Sequence, residues 1–312
     1  MFHNNTPTRM QSSFPLPENK PEIVALWQDV FQDSDEFAGL FFSRVYKPEN
    51  TLVIKKDNSI IAALQMIPYE INTINGILSS AYVCGVCTHP SERGKGVMKT
   101  LMTEAMEVMR QRGYSVSTLI PAEPWLFDFY KKFGYSYPVD YGVETSYSGK
   151  QSVQAINADH SVIRETGSQP DYTFIECTTD KYFPYFDRKQ HERPCAVIHK
   201  ADDFETVIRD LAYDGGNAWA VLRENNPVGI AFAKPEPEGK IIIKEMLYDS
   251  TPVKEALIRY LHRRYNARTV EIRTPLSAEE NANPPRQSYG LACILDNRIA
   301  DISGLYMTLM LD

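Results

Sequence analysis

Basic residues are the minority charge in this chain. Its 312 residues hold 33 Lys and Arg against 40 Asp and Glu, a formal net charge of −7. Bulk charge therefore excludes nucleic acid and anionic membrane surfaces as partners, and a cationic or amine-bearing small substrate suits the field better. Long apolar runs are missing as well. No stretch approaches the ~18 residues of a membrane span, and Met1–Pro17 is polar, without the apolar segment of a secretory leader. Cysteine is sparse, 5 in all, and with no leader the odd count points to a reducing cytoplasm. Metal-ligand spacing is also lacking. Histidines 3, 89, 160, 191, 199 and 262 form no such pattern. Cys84 and Cys87 make a C-x-x-C pair inside the apolar run Ala81–Cys87. That run reads as a strand, where residues i and i+3 face opposite ways. Those thiols diverge, so they close no disulfide easily, and no second pair exists to complete a zinc site. We expect packing cysteines and no metal.

What is present is ordinary for a globular protein: 43% hydrophobic and 23% charged residues. At roughly 100–200 residues per domain, two domains are expected. Helical spacing of apolar residues appears over Pro21–Phe31 and Ser34–Tyr46, the second capped by Ser34 or Asp35. The period then shortens. Thr51–Lys56 and Ser59–Tyr69 read as strands joined at Asp57-Asn58, and Leu78–Thr88 as a central strand. A helix opens at Val97 with Val97, Leu101, Ala105, Val108 and Met109 on one face, stopped by Gly113. Ser115–Ile120 is a strand, Pro124–Lys132 a short helix closed by Gly134, and Tyr135–Tyr147 the closing strands.

Ser148–Pro170 is polar and reads as a linker, after which the order partly repeats. Lys181–Gln190 and Asp203–Ala212 are helical, Ala218–Arg223 and Pro227–Ala233 a hairpin, Lys240–Asp249 a strand, Pro252–Tyr265 a helix and Thr269–Thr274 a strand. Tyr289–Leu295 and Gly304–Leu311 form a final strand pair. The expected fold is α/β with a mixed sheet, in two tandem domains of like order, 1–150 and 151–312.

The strand-to-helix turn His89-Pro90-Ser91-Glu92-Arg93-Gly94-Lys95-Gly96-Val97-Met98 carries the chemistry. Gly94 and Gly96 permit positive φ and close backbone approach. The first N–H groups of a helix lack intrahelical partners and sit at its positive end, which makes the turn an anion site. Arg93 and Lys95 add charge. The order is not a P-loop, because His89 stands where the first Gly belongs, and it is not G-x-G-x-x-G, because Lys99 replaces the last Gly.

Arg93-Gly94-Lys95-Gly96-Val97-Met98 after an apolar strand instead resembles the pyrophosphate loop of the GNAT acetyltransferase superfamily, with Met98 in place of the usual final small residue. Phe129-Tyr130-Lys131-Lys132-Phe133-Gly134-Tyr135, about 35 residues further on, resembles the signature of the same family. The tandem arrangement is most similar to the enhanced-intracellular-survival (Eis-like) proteins, which pair a working GNAT domain with a degenerate one. The resemblance implies acetyl-CoA as cosubstrate and no metal. Its grip would come from the backbone of Arg93, Gly94, Lys95, Gly96, Val97 and Met98, with Val86 and Thr88 alongside the pantetheine arm. It places Tyr130 near the acyl sulfur, as the acid that protonates the departing thiolate. The implied reaction is direct acetyl transfer to a small-molecule amine. A non-catalytic CoA-sensing module and a lysine-peptide acetyltransferase remain alternatives, and homo-oligomer formation is left open.

The base is unassigned. The family's third, sterol-carrier-like domain would supply a chain-terminal carboxylate. The sequence stops at Asp312 without it, and the role is not carried to that residue. Ala81–Thr88 holds no carboxylate, which leaves Glu123 as a candidate. In the second half the corresponding turn, Asp249-Ser250-Thr251-Pro252, would repel a phosphate and lacks one N–H donor. That half is therefore expected to bind no CoA, and Glu245 is read as a salt-bridged core carboxylate.

Overall fold

The structure, a computed structural model, describes residues 10–148, 163–165, 172–276 and 284–311, with backbone alone for 163–165. In chain order the elements begin β1 (Ser12–Ser13), α1 (Lys20–Phe31), α2 (Asp35–Arg44), β2 (Thr51–Lys56), β3 (Ser59–Thr73), β4 (Gly76–Thr88), α3 (Val97–Gln111), β5 (Val116–Leu119), α4 (Pro124–Lys131) and β6 (Tyr137–Tyr147). They continue β7 (Ile163–Glu165), β8 (Tyr172–Glu176), α5 (Thr179–Gln190), β9 (Cys195–Ile198), α6 (Ala201–Tyr213), β10 (Asn217–Arg223), β11 (Asn226–Glu236), β12 (Lys240–Tyr248), α7 (Thr251–Arg264), β13 (Thr269–Thr274) and β14 (Arg286–Ile294).

The chain divides into two compact units, each built from separated segments. The first gathers the described part of Met1–Glu70 with Leu78–Pro138 and Gly290–Ile302; the second takes Ile71–Ile77 and the described parts of Val139–Tyr289 and Ser303–Asp312.

In the first unit the strands lie in the order β1-β2-β3-β4-β5-β14. Asp57 and Asn58, both at positive φ (50° and 68°), turn β2 into β3 as a tight hairpin. β4 and β5 run parallel, with α3 as the crossover, and β14 closes the sheet antiparallel to β5. Both faces are covered, so β3 is buried from Ile60 to Met66 rather than alternating. Leu52, Ile54, Leu64, Met66, Ala81 and Val83 pack on Val97, Leu101, Ala105 and Met109 of α3 and on Tyr130 of α4. Each such side chain contributes about 1.5–3 kcal/mol by leaving water. On the other face Trp27 of α1 stacks on Phe41 of α2 with centroids 4.7 Å apart. Ser34 caps α2, its hydroxyl accepting from Phe37 N at 3.1 Å.

The second unit repeats the scheme in the order β7-β8-β10-β11-β12-β13-β6. β12 and β13 are parallel, joined by α7. Val253, Leu257 and Tyr260 of α7 cover one face, while Tyr182 and Phe186 of α5 and Phe204 of α6 belong to a second core cluster.

Several boundaries differ from the linear reading. Tyr135–Tyr147 does not complete the first sheet: β6 pairs antiparallel with β13, and the place beside β5 is taken by Leu291–Ile294. Each half of the chain thus lends one strand to the unit built mainly from the other. Gly304–Leu311 is not a strand. Only Tyr306 bridges Ala196, and Leu309 turns to φ +53°. Its run of apolar residues reflects burial of Leu305 through Met310, not pairing. The proposed linker lies mostly outside the described residues, as do His3, His160 and Asp312, but 163–165 within it form β7.

Candidate functional site

The glycine turn is built by the end of β4. His89 N donates to Ile61 O at 2.8 Å, and one tight turn, Pro90–Glu92, carries the chain to Arg93. Gly94 and Gly96 then adopt φ +76° and +81°, a region that strains any residue with a Cβ. No protein atom lies within 4 Å of where a Cβ would project from either glycine, so open space adjoins the turn. Gly96 is the N-cap of α3 and its carbonyl accepts the first helical hydrogen bond, from Thr100 N at 3.1 Å. The amides of Val97, Met98 and Lys99 therefore have no acceptor in the helix.

The charges around the turn differ from the sequence expectation. Lys95 Nζ lies 3.2 Å from one oxygen of Glu92, and Lys56 Nζ lies 2.9 Å from the other. Hydrogen bonds from Lys56 and then Lys95 hold the Glu92 carboxyl below its usual range. Lys95 is thus partly neutralised, and the net gain from the three groups is one positive charge. Arg93 Nε donates to Thr88 O at 3.3 Å, which ties the turn to its strand. Met98 departs from the family's small residue without obstructing the turn, because its side chain packs against the core of the first unit.

β4 and β5 separate just before this turn. Their ladder ends at Val83↔Leu119, while β4 continues to Thr88. The β4 backbone from Cys84 to Thr88, Val86 and Thr88 included, has no ladder partner on the β5 side. Thr88 is 7% exposed and its hydroxyl has no hydrogen-bond partner. Open amides, an orphaned hydroxyl and unpaired strand edge form a cradle that fits a diphosphate with an amide-bearing tail.

Tyr130 lies on α4 in the same core cluster as Val97, with Val86 and Met98 packed against it. It is 6% exposed, and burial alone pushes its hydroxyl up to about 12. Tyr135 belongs to the structure instead: it is fully buried, and its hydroxyl pairs with Ser117 Oγ at 2.7 Å. Glu123 sits exposed at the N-cap of α4.

Two features were missed from sequence. Gly85 interrupts β4 at φ +57°, and a Cβ there would fall 2.2 Å from both Gln65 Oε1 and Trp27 Cζ3. Gln65 is 1% exposed, and neither its oxygen nor its nitrogen finds a hydrogen bond. The available signal was a lone polar residue in the apolar run Ile60–Ile67.

The remaining candidates are structural. Cys84 and Cys87 are free thiols, and burial holds Cys87 up at about 12. His89, His191 and His262 bond to neighbouring hydroxyl or backbone groups. Glu245 is buried against Arg193, whose Nη2 donates to it at 2.5 Å. Among the described residues no group of three or more His, Cys, Asp or Glu could hold a metal, and no helix is long and apolar enough to cross a membrane.

Residues 17–137, from the entry to α1 to the start of β6, match the acetyltransferase (GNAT) domain family. Solved structures extend the likeness of fold beyond that domain. A GCN5-related N-acetyltransferase from Anabaena variabilis superposes with a TM-score of 0.70 at 15% identity, over 92% of this chain and 73% of that one. Eis1 from Mycobacterium abscessus gives 0.62 at 12% identity, over 92% and 74%. The N-myristoyltransferase of Saccharomyces cerevisiae, solved with myristoyl-CoA, gives 0.53 at 10%, over 91% and 82%. No curated protein sequence matches the chain. The glycine turn and Tyr130 both fall within the matched residues.

Proposed function

We propose that the protein is an acetyl-CoA-dependent N-acetyltransferase that moves an acetyl group directly to a small-molecule amine in a ternary complex. The observation that carries this reading is the pair of left-handed glycines that leave helix-start amides facing unfilled space, where β4 has left β5. Backbone from Arg93 to Met98 would bind the diphosphate, and the β4 edge at Val86 and Thr88 the pantetheine. Three or four hydrogen bonds to a charged group, at about 1.5–3 kcal/mol each, cover much of the ~8 kcal/mol of a micromolar ligand. The yeast relative, which shares the fold, was solved with an acyl-CoA.

Acetyl-CoA supplies the thioester. The amine nitrogen bonds the acyl carbon, the carbon–sulfur bond breaks, and the sulfur leaves as thiolate. Tyr130 Oη gives that sulfur its proton and recovers one from solvent; the proton of the attacking amine leaves to solvent. A phenol near 12 looks too weak an acid for an ordinary thiolate of about 8.5. Apolar surroundings raise a leaving thiol in the same direction as they raise the phenol, which narrows that gap.

The absence of a disulfide, with all five cysteines free, favours a reducing cytoplasm. The test is CoA thiol release from acetyl-CoA with a panel of small amines and lysine peptides. Turnover on small amines supports the reading. Turnover on peptides alone replaces the acceptor class. Tight binding of acetyl-CoA with no turnover on either makes the protein a CoA-binding module.

A further inference from the structure

Gln65 lies in the core of the first unit with its amide unused. It is 1% exposed, and among the described residues neither Oε1 nor Nε2 has a hydrogen-bond partner. Its neighbours on β3, Ala62, Ala63, Leu64 and Met66, are apolar and as deeply buried. Burying an amide without a partner lowers stability, and an apolar side chain of the same length avoids that loss. Packing alone therefore does not account for a glutamine at this position.

The amide lies against β4. A Cβ on Gly85 would fall 2.2 Å from both Gln65 Oε1 and Trp27 Cζ3, so amide and indole together fill the place of a side chain on that strand. Trp27 is a fixed wall. Its Nε1 donates to Asp33 Oδ2 at 2.8 Å, its ring stacks on Phe41, and the edge of Phe42 meets it at 5.4 Å. The Gln65 amide is thus wedged between a held indole and the backbone of Gly85.

β4 is open at the same residues. Cys84, Gly85 and Val86 are half-buried, between Val83 at 1% and Cys87 at 2%. This stretch begins just past Val83↔Leu119, where the ladder with β5 ends. Gly85 holds φ +57° and, without a Cβ, reorients its backbone at little steric cost. The strand is therefore unladdered on one edge, hinged at a glycine and backed by an unpartnered amide. We propose that Gln65 is a positioning residue for acetyl transfer: when an acyl-CoA lies along β4, the Gln65 amide bonds the β4 backbone at Gly85 and fixes that edge against the thioester. Gln65 acts through β4 and does not touch the substrate. The role rests on the acetyl-transfer reading.

The experiment compares the full chain with its Gln65→Met variant, which keeps the unbranched length and removes the amide. Tm should rise by about 2–8 °C, because an unpartnered buried amide is lost. Calorimetry should show acetyl-CoA binding weakened about two- to tenfold, the worth of one neutral hydrogen bond. ADP, which has a diphosphate and no pantetheine, should bind both proteins alike. Turnover should fall about tenfold or more, since a misplaced thioester slows the transfer. Hydrogen exchange gives a readout free of activity: acetyl-CoA should protect the peptide covering 83–88 in the wild type and protect it less in the variant. A raised Tm with binding and kcat unchanged makes Gln65 a packing residue. A lowered Tm shows that the amide is already satisfied in the free protein. Equal protection of 83–88 shows that no bond forms. Each of these overturns the proposal. If the wild type turns over no amine, the acetyl-transfer reading fails, and the exchange comparison by itself still upholds or refutes the Gln65 contact with β4 on CoA binding.

Discussion

Replacing Gly96 by Ala separates the glycine turn's role in folding from its role in binding. Gly96 sits at φ +81° with no protein atom within 4 Å of a projected Cβ. The methyl group meets no steric wall, so the folding cost is the left-handed backbone alone, about 1–2 kcal/mol. At ~2–4 °C per kcal/mol for a unit of this size, Tm should fall by about 2–8 °C. The same methyl enters the open space beside the amides of Val97 and Met98. Losing one hydrogen bond to a charged ligand, about 1.5–3 kcal/mol, weakens Kd about 10- to 150-fold. Calorimetry with acetyl-CoA reads this directly. Acetyl-pantetheine, which keeps the thioester but has no diphosphate, is the control and should bind wild type and variant alike. A variant that shows the Tm loss yet binds acetyl-CoA as tightly as wild type would remove the turn from the site.

The two tyrosines of the Phe129–Tyr135 segment should part company. Tyr130→Phe should lower kcat at least ~100-fold with Tm unchanged, since burial is the one influence on its hydroxyl. Tyr135→Phe should cost about 1 kcal/mol of stability through the lost Ser117 contact and leave kcat within about twofold; the reverse pattern would refute the assignment. With the Tyr130 hydroxyl raised from 10.0 to about 12, the folded state holds that proton more tightly. Its contribution to stability is complete below pH 10 and is lost as pH rises toward 12. Accordingly, kcat should show no alkaline fall due to Tyr130 below pH ~10, and a limb that vanishes in Tyr130→Phe at lower pH would contradict this. Glu92→Gln releases both Lys56 and Lys95, so acetyl-CoA should bind about two- to fivefold tighter at low salt, with the gain vanishing at high salt.

The local elements were largely legible in the sequence because they follow from residue type and period. Asp57-Asn58 could turn only as a tight hairpin, Ser34 offered a cap, and the 3.6-residue spacing from Val97 to Met109 placed one face of α3 in the core. The glycine turn was legible for the same reason: two residues without Cβ at a strand–helix junction dictate a backbone, and that backbone leaves helix-start amides without an acceptor in the helix. The sequence also marked the Asp249–Pro252 turn as hostile to a phosphate.

Long-range pairing was not legible. β6 and β14 are both strands of mixed polarity, and nothing in either states which sheet it joins. Hydrogen bonding of Leu291–Ile294 to β5, and of Gly142–Tyr147 to β13, decides that. Met98 looked like a departure from the loop pattern until packing directed it to the core, and Lys95 looked like a free cation until folding brought Glu92 and Lys56 beside it. Sequence determined what each segment can be, since propensity and backbone freedom act between near neighbours. Tertiary structure alone decided which edges meet, because strand pairing and charge pairing act through space.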